Sequence, residues 1–278
     1  MIYTQFRGRT GNQMFQYAAG RALSLERGTG LVVDDRAAIH RGESSLHRVF
    51  QLPVHPSVKL PPARHASPIG YALWRTLKRA PKIYREKSLG FDPQFSALPD
   101  GTYLHGYWQT EKYFKKFREQ ILADFTFPDA RDKNAELVSR IGETLSVSVH
   151  VRRGDYVSNA SHVVCDQNHY DAALSALLPT LKVAPTFFVF SDEPDWAREN
   201  LKLPGEVVVI DHNGPEADFE DLRLMSLCKH NIIANSSFSW WAAWLNKNLN
   251  RQVIAPKQWF GKPSLSNPDI WADGWTRV

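Results

Sequence analysis

The stretch EDLRLMSLCKHNIIANSSFSWWAAWLNKN, residues 220–248, determines which fold class the chain can adopt. It predicts a helix, a buried strand at 231–234, a run of small polar residues and a second helix over 239–249. A buried strand between two helices is typical of an α/β protein with a parallel sheet. The polar residues follow the strand, at the edge where such sheets bind ligands.

The same alternation covers the second half of the chain. Strands are predicted at 145–151, 186–190, 206–210, 231–234 and 252–255, and helices at 168–182, 194–202, 218–229 and 239–249. The chemically dense segments all follow strands: RRGDY (152–156), SDEPDW (191–196), DHNGPE (211–216) and NSSFSWW (235–241). Packing alone does not explain four polar loops at one sheet edge, so they indicate a binding site.

The first half begins with a β-loop-α-β unit. Strands predicted at 2–6 and 31–33 flank a glycine-containing loop at 7–11 and a helix over 12–27. A loop above a helix N-terminus has free N–H groups that attract an anion or a sugar hydroxyl. Between residues 34 and 100 eight prolines interrupt the pattern, and no order of elements follows from it.

Length and composition predict a folded protein of two α/β domains, residues 1–140 and 141–278. The net charge of +5 suits nucleotide phosphates or an acidic membrane surface and is too weak to indicate nucleic acid. Cys165 and Cys228 fit no disulfide framework or metal-ligand spacing, so we interpret them as buried apolar residues in a reducing compartment. Because neither a secretory signal nor a membrane-spanning run is found, we expect a cytoplasmic location.

A segment rich in basic and aromatic residues lies between residues 68 and 81. A helix there would present Ile69, Leu73, Trp74 and Leu77 on one face, with basic residues beside them. Two interpretations stay open. The helix is either solvated and packed on its own domain, or it contacts a membrane surface or a substrate.

The segment SVSVHVRRGDYV, residues 146–157, runs from a buried strand into a loop with two arginines and an aspartate. Side chains alternate along a strand, so His150 and Arg152 lie on one face and Arg153 on the other. Two guanidinium groups near Asp155 suit a diphosphate, because guanidinium pairs with phosphate bidentately and stays charged. The alternative is an internal salt bridge between arginine and aspartate.

Small polar side chains precede the last long helix. Asn235, Ser236 and Ser237 suit phosphate oxygens or ribose, and simple N-capping is the alternative. The three tryptophans of 240–244 are predicted to pack in the core, with a sugar-stacking platform as the alternative. The chain lacks the DxD, HExxH, paired-cysteine, GxGxxG, GxSxG and GxxxxGK[ST] patterns, so no metal site, nicotinamide enzyme, common hydrolase or P-loop enzyme is predicted.

The motifs form a set: GRTGNQMFQYAAGRALS (8–24), GYWQTEKYF (106–114), HVRRGDYV (150–157), FSDEPDWARENL (190–201), DLRLMSLCKHNIIANSSFSWWAAWLN (221–246) and VIAPKQWF (253–260). Together they resemble the bacterial α-1,2-fucosyltransferases, glycosyltransferase family 11. The resemblance implies an α/β protein of the GT-B type, in which two Rossmann-like domains face a cleft. The N-terminal domain is then the acceptor side, and the C-terminal domain binds GDP-fucose.

The resemblance also implies the reaction. L-fucose passes from GDP-fucose to the 2-hydroxyl of a galactose, with inversion at the anomeric carbon. The acceptor implied is a galactose-terminated oligosaccharide or lipid-linked glycan of the cell surface, such as an O-antigen, built at the inner face of the cytoplasmic membrane. Neither a metal nor another cofactor is expected, so a fixed arginine replaces the divalent cation.

Carried over to this chain, the resemblance makes Arg152 the clamp on the β-phosphate, with Arg153 second. His150 is similar to a histidine that contacts the nucleotide, and Asp192 to an acid that contacts the nucleoside. The residues similar to the donor-binding side chains at the helix start are Asn235, Ser236 and Ser237.

In the first domain, Asn12 and Gln13 resemble contacts to donor or acceptor. The family's motif in this loop is GGLGNQ, and this chain has Arg9 and Thr10 at two positions that are small or apolar in that motif. This difference bears on the choice of acceptor. Some related fucosyltransferases have a glutamate shortly after the paired arginines, and this chain has none there. Asp155 is therefore the candidate general base, or else a salt-bridge partner of the arginines. The alternative functions are fucosyl transfer with another linkage and a non-catalytic glycan-binding module.

Overall fold

The computed structural model describes residues 1–56, 60–77, 79–159, 161, 165–262 and 264–278. They divide into two units, one of residues 1–128 and 267–270 and the other of residues 129–266 and 271–278. The division falls before the predicted boundary at 140, because the helix that starts at Asp132 packs on a helix of the second unit.

In the described part of the first unit, four parallel strands form one sheet. They are β1 (Ile2–Gln5), β2 (Leu31–Asp34), β3 (Lys82–Arg85) and β4 (Thr102–His105), in the spatial order β2-β1-β4-β3. The helices of this unit are α1 (Thr10–Glu26), α2 (Arg36–His40), α3 (Pro68–Thr76) and α4 (Arg118–Asp124). Single 3-10 turns lie at Leu46–Arg48, Phe95–Ala97, Glu111–Tyr113 and Lys115–Phe117.

Helix α1 packs closely on the sheet of the first unit. Small and apolar residues occur on nearly all its sides, so most of its length is buried. Gly20 allows the close approach, because a Cβ there would lie 3.0 Å from Thr4 on β1 and 3.0 Å from Leu31 on β2. The predicted β-loop-α-β unit at the start of the chain is confirmed, with β1 and β2 paired in parallel.

The second unit contains six parallel strands among its described residues. They are β5 (Ser146–Val151), β6 (Thr186–Ser191), β7 (Glu206–Ile210), β8 (His230–Ile232), β9 (Val253–Ala255) and β10 (Thr276–Arg277), in the order β10-β9-β8-β5-β6-β7. The helices are α5 (Asp132–Glu143), α6 (Gly154–Val157), α7 (Gln167–Leu177), α8 (Pro194–Asn200), α9 (Asp218–Leu227) and α10 (Ser237–Leu245). Further 3-10 turns lie at Leu178–Thr180 and Pro215–Ala217.

The strand–helix alternation predicted for the second half is confirmed. Strand β7 coincides with the predicted 206–210, and the other boundaries shift by a few residues. Strands β3, β4 and β10 were not predicted. The first of these lies in the proline-interrupted region, and the last is a two-residue edge strand too short to show alternation.

A buried polar network holds the centre of the second sheet. Strand β5 is buried along its whole length, so its polar side chains need partners inside the unit. The Asn231 side chain on β8 donates to Ser148 Oγ on β5 at 2.7 Å and to the Met225 carbonyl at 2.8 Å. Its Oδ1 accepts a hydrogen bond from Asn246 at 2.8 Å. One amide therefore ties β5, β8, α9 and the end of α10 together.

The tryptophans of α10 lie in the core, as predicted. Trp240, Trp241 and Trp244 are at most 2% exposed, and Trp240 packs on Trp275 with ring centroids 5.3 Å apart. They therefore offer no stacking platform to a sugar. The expectation that both cysteines are buried is also confirmed.

The prediction for the helix between residues 68 and 81 is wrong for Trp74. Its ring packs edge-on against Tyr103 of β4, and its Nε1 donates to the Pro81 carbonyl at 3.0 Å. Trp74 is buried because the sheet offers both an apolar surface and a hydrogen-bond acceptor. The other three apolar side chains of the predicted face are exposed. Within the described residues, no helix has the length and apolar character needed to cross a bilayer.

The Asn231 network leads to a stability prediction. Asn231→Ala leaves Asn246 and Ser148 without their partner in a dry interior, so we expect the free energy of unfolding to fall by about 3 kcal/mol. Urea unfolding followed by tryptophan fluorescence measures the change. Asn250→Ala, at an exposed asparagine of the same unit, is the control and should shift stability by less than about 0.5 kcal/mol. Equal stability of the two variants would show that the network is not needed.

Candidate active site

The order of strands in the second unit determines where its polar loops meet. The chain adds β6 and β7 on one side of β5 and then adds β8, β9 and β10 on the other. The carboxyl ends of β5 and β8 therefore flank a topological switch point, which is where open α/β sheets bind ligands. The segments that follow β5, β6 and β8 carry seven of the predicted site residues, and they are Arg152, Arg153, Asp155, Asp192, Asn235, Ser236 and Ser237.

Arg152 is the most enclosed charged group of this edge. Its guanidinium pairs with Asp155, and its Nη1 lies 3.2 Å from Asp192 Oδ2. The same group lies 5.3 Å from the ring centroid of Tyr156, and its side chain is 16% exposed. The internal salt bridge between arginine and aspartate, which the sequence offered as the alternative to a diphosphate site, is therefore present. Such a group is held in position while one side of it still reaches solvent.

Arg153 points to a different set of partners. Its Nε donates to Glu193 Oε2 at 3.0 Å, and its guanidinium stacks 3.8 Å from the ring centroid of Trp196. Its backbone N–H donates to Asp192 Oδ1 at 3.0 Å. Asp192 thus contacts both arginines and links the end of β6 to the end of β5. Neither Glu193 nor Trp196 was predicted as part of the site, although both lie in the segment SDEPDW that the sequence marked as polar.

His150 is the last polar residue of β5 before the arginines. It is buried, its ring centroid lies 6.0 Å from that of Phe238, and within the described residues its Nδ1 has no hydrogen-bond partner. Burial, together with the charge of Arg152, lowers the pKa of His150 to about 3. The imidazole is therefore neutral at physiological pH and offers a hydrogen bond without adding charge.

The start of α10 combines a capping serine with a half-buried one. Ser236 Oγ accepts a hydrogen bond from the Phe238 N–H at 3.3 Å, which confirms the capping interpretation for that residue. Asn235 is buried, and its Nδ2 donates to the Trp259 carbonyl at 2.8 Å, so its amide holds the loop. Ser237 is half-buried at the first turn. Of the three residues, Ser237 has the side chain most accessible to a ligand.

A polar cluster that was not predicted lies after β7. Asn213 Nδ2 donates to Asp221 Oδ1 at 2.7 Å and to Asn134 Oδ1 at 3.1 Å, and His212 Nε2 lies 3.0 Å from the same Asn134 oxygen. Burial raises the pKa of Asp221 to about 7, and the nearby carboxylates of Asp218 and Glu220 add to the rise. A buried acid with a raised pKa is typical of functional sites. The only signal in the sequence was the polar segment DHNGPE, because an aspartate in a helix has no distinctive spacing.

The loop after β1 is braced by amides in the first unit. Gln13 is fully buried, and its Nε2 donates to the carbonyls of Gly8 and Ser44, both at 2.8 Å. Its Oε1 accepts from the Leu46 N–H at 3.2 Å, so Gln13 shapes the loop. The N–H of Gly8 donates to Glu43 Oε2 at 2.8 Å, so a carboxylate of the chain itself occupies one donor predicted to attract an anion.

Asn12 and the end of β4 form the accessible edge of that unit. Asn12 Oδ1 accepts a hydrogen bond from Gln109 Nε2 at 2.8 Å. His105 Nε2 lies 3.4 Å from Arg7 Nη1, and burial, with the charges of Arg85 and Arg7, lowers the pKa of His105 to about 4. His105 was not predicted as a site residue, because it stands alone in the sequence before the motif that begins at Gly106.

The raised pKa of Asp221 has a consequence for stability. Its folded-state pKa lies above that of an unfolded aspartate, so the stability it contributes is fully present below about pH 4 and is lost as the pH rises towards 7. Asp221→Asn keeps the acceptor for Asn213 and removes the charge. We expect no gain in unfolding free energy at pH 4 and a gain on the order of 2 kcal/mol at pH 8. Urea titrations at both pH values measure it, with Asp171→Asn, at an exposed carboxylate of the same unit, as the control.

Several curated proteins are similar to this chain. It is 33% identical over 296 residues to the alpha-1,2-colitosyltransferase of Escherichia coli, and the alignment covers 100% of this chain and 99% of that protein. It is 26% identical to the O-antigen biosynthesis glycosyltransferase WbnK of Escherichia coli, with 100% of both chains covered. The galactoside alpha-(1,2)-fucosyltransferase 2 of Oryctolagus cuniculus is 30% identical over 86% of this chain and 65% of that protein.

One solved structure has a similar fold, and one family model matches the chain. Fucosyltransferase NodZ from Bradyrhizobium superposes with a TM-score of 0.50 at 13% identity, covering 87% of this chain and 91% of that one, and this likeness concerns the fold alone. The α/β fold predicted from the sequence is thus confirmed. The model of glycosyl transferase family 11 matches residues 1–278. With a match over its full length, the chain belongs to glycosyltransferase family 11.

Proposed function

We propose that the protein transfers L-fucose from GDP-fucose to the 2-hydroxyl of a galactose residue in a cell-surface glycan, with inversion at the anomeric carbon. The observation that carries the proposal is the pair Arg152 and Arg153 at the switch point of a parallel sheet. A guanidinium that is permanently charged and aimed by carboxylates suits a diphosphate. Because the chain belongs to a glycosyltransferase family, the diphosphate that we expect at this site is that of a nucleotide-sugar donor.

The donor side of the proposal assigns roles within the second unit. Arg152 binds the β-phosphate, and Arg153, at the next position after β5, supports it. Neutral His150, with its unshared Nδ1, contacts the nucleotide, and Asp192 holds the Arg152 guanidinium and the Arg153 backbone N–H in place. The accessible hydroxyl at the first turn of α10, on Ser237, adds a hydrogen bond to phosphate.

The chemical step follows from these groups. The bond between the anomeric carbon and the β-phosphate oxygen breaks, and negative charge grows on that oxygen while positive charge spreads over the sugar ring. Arg152 stabilises the growing negative charge, so no step needs a divalent cation. The acceptor hydroxyl attacks the opposite face of the sugar and gives its proton to a base. Asp155 is our candidate for that base, because its carboxylate is 56% exposed and lies beside Arg152.

A second donor is favoured by one comparison. The Escherichia coli relative that matches over the full chain at 33% identity is named a colitosyltransferase. Colitose is L-fucose without its 3-hydroxyl, so a GDP-colitose donor would require the same diphosphate clamp and differ only in one contact to the sugar. The two donors are therefore alternatives for one site, and only direct comparison separates them.

The acceptor and the location complete the proposal. We propose a galactose-terminated oligosaccharide or lipid-linked glycan as acceptor and the cytoplasmic face of the membrane as the place of reaction. The curated relatives named for O-antigen biosynthesis and for galactoside transfer support this choice. The alternatives are a different linkage and a non-catalytic glycan-binding module.

Release of GDP by the purified protein tests the function. With EDTA present, we expect turnover of GDP-fucose that depends on lactose or N-acetyllactosamine, and a product from which a linkage-specific glycosidase removes 2-linked fucose. A faster reaction with GDP-colitose would assign the second donor. Loss of turnover on adding EDTA would contradict the metal-independent mechanism. Absence of release with every acceptor, without stabilisation by GDP, would contradict the proposed function.

Arg152→Ala tests the clamp. We expect a loss of about 1000-fold in kcat/KM, because the charge that develops on the leaving phosphate loses its fixed counter-charge. The free energy of unfolding should change by less than about 1 kcal/mol, because its partners are partly solvated. Arg140→Ala, which removes an exposed arginine paired with Glu206, is the matched control for turnover. Near-full activity of the Arg152 variant, or a collapse of its stability, would remove the assignment.

A further inference from the structure

One segment of the first unit has a high density of positive charge. Residues 44–85 contain eight of the 34 lysines and arginines and none of the 29 aspartates and glutamates. The whole chain carries +5, so the remaining residues carry a net charge of −3. Helix α3 lies in the middle of this segment, and Arg64, Arg75, Arg79, Lys82 and Arg85 are exposed on or near it. A second stretch without acidic residues, 222–268, has a lower density of positive charge, with six lysines and arginines in 47 residues.

The same helix exposes a stripe of large apolar side chains. Ile69, Leu73 and Leu77 are 77%, 53% and 55% exposed, and their four-residue spacing places them along one side of the helix. Trp74 anchors the helix from its other side. Single exposed apolar residues are normal, whereas a contiguous row of them marks an interaction surface. The row is also flanked by cations.

A cavity of about 660 Å³ adjoins the stripe. Its walls include Leu73 and Trp74 of α3, the apolar residues of 60–62, and Pro81, with Arg79 beside them. It also reaches Met1 and Gly101, which directly precede β1 and β4. The cavity therefore lies at the amino ends of the strands, opposite the carboxyl edge that holds Asn12 and His105. It does not belong to the candidate active site.

We propose that the surface formed by α3, Leu77 and this cavity docks on an anionic membrane. Ile69, Leu73 and Leu77 enter the interfacial layer, the neighbouring arginines bind lipid phosphates, and the cavity accepts an apolar chain. An apolar row flanked by cations is complementary to a surface that is negative at its headgroups and apolar beneath them. A nucleic acid would satisfy the charge and leave the apolar row in water. This inference rests on the proposed function, because the lipid-linked acceptor proposed there is the reason for the protein to bind a membrane.

Vesicle co-sedimentation of the full-length protein tests the surface. We expect binding to vesicles that contain phosphatidylglycerol at low salt, no binding to phosphatidylcholine alone, and weaker binding at high salt because the charges are screened. The triple variant Ile69→Gln, Leu73→Gln, Leu77→Gln should bind at least about tenfold more weakly, and so should Arg75→Glu with Arg79→Glu. These side chains are exposed, so the variants are expected to fold.

Two matched controls change similar residues elsewhere. Leu249→Gln alters an apolar side chain that is 96% exposed, and Lys182→Glu reverses an exposed charge, both in the second unit. Both should bind vesicles like the parent. Failure of the parent to bind at low salt, or equal binding by the α3 variants, would overturn the proposal.

Turnover of a soluble acceptor is measured in parallel on every variant. Loss of vesicle binding with unchanged turnover supports the docking surface as separate from the active site. Vesicle binding by a protein that shows no turnover with any acceptor would remove the proposed function and leave the membrane surface in place. Loss of turnover together with binding in the α3 variants would place this surface in the transfer reaction and overturn its assignment as a docking surface.

Discussion

Strand β5 is buried on both faces and yet carries a polar residue at every second position, and the second unit is built around this constraint. Ser146, Ser148 and His150 follow one another along one side of the strand, and Arg152 comes directly after its end. The first two are satisfied by the protein, through the Ile141 carbonyl and the amide of Asn231. His150 keeps one nitrogen without a partner among the described residues. The polar row thus begins with side chains that brace the unit and ends with a buried histidine that keeps an unshared nitrogen next to the partly exposed Arg152.

The first unit reaches a comparable edge by a different route. Its switch point lies between β1 and β4, and the loops that follow these two strands are joined by the hydrogen bond from Gln109 to Asn12. Buried amides provide the rigidity there, since Gln13 fixes the first loop to the 44–46 segment. A glycosyltransferase needs fixed groups more than reactive ones, because its transition state is stabilised by charge and position. Both edges meet that need with side chains held by hydrogen bonds.

The sequence was informative where a pattern repeats and silent where a residue acts alone. The strands of the second half follow from apolar runs, and the arginines stand out because two guanidinium groups end such a run. Asp221 could not be found in this way, because its raised pKa results from its burial in the folded unit, where Asn213 is its hydrogen-bond partner. The orientation of Trp74 was also out of reach. Helical spacing places it near Leu73, but contact with Tyr103 and the Pro81 carbonyl decides that it faces inward.

Arg152 is held by the carboxylates of Asp155 and Asp192. A diphosphate that binds there exchanges one set of anions for another, so the net affinity is the difference between two strong pairings. Such a difference is smaller than either pairing alone. In the proposed reaction GDP, which retains the diphosphate after transfer, would compete with these two carboxylates, which are part of the chain and always close to Arg152. In the proposed reaction, the ion pairs that hold Arg152 in place would therefore favour departure of the product as well.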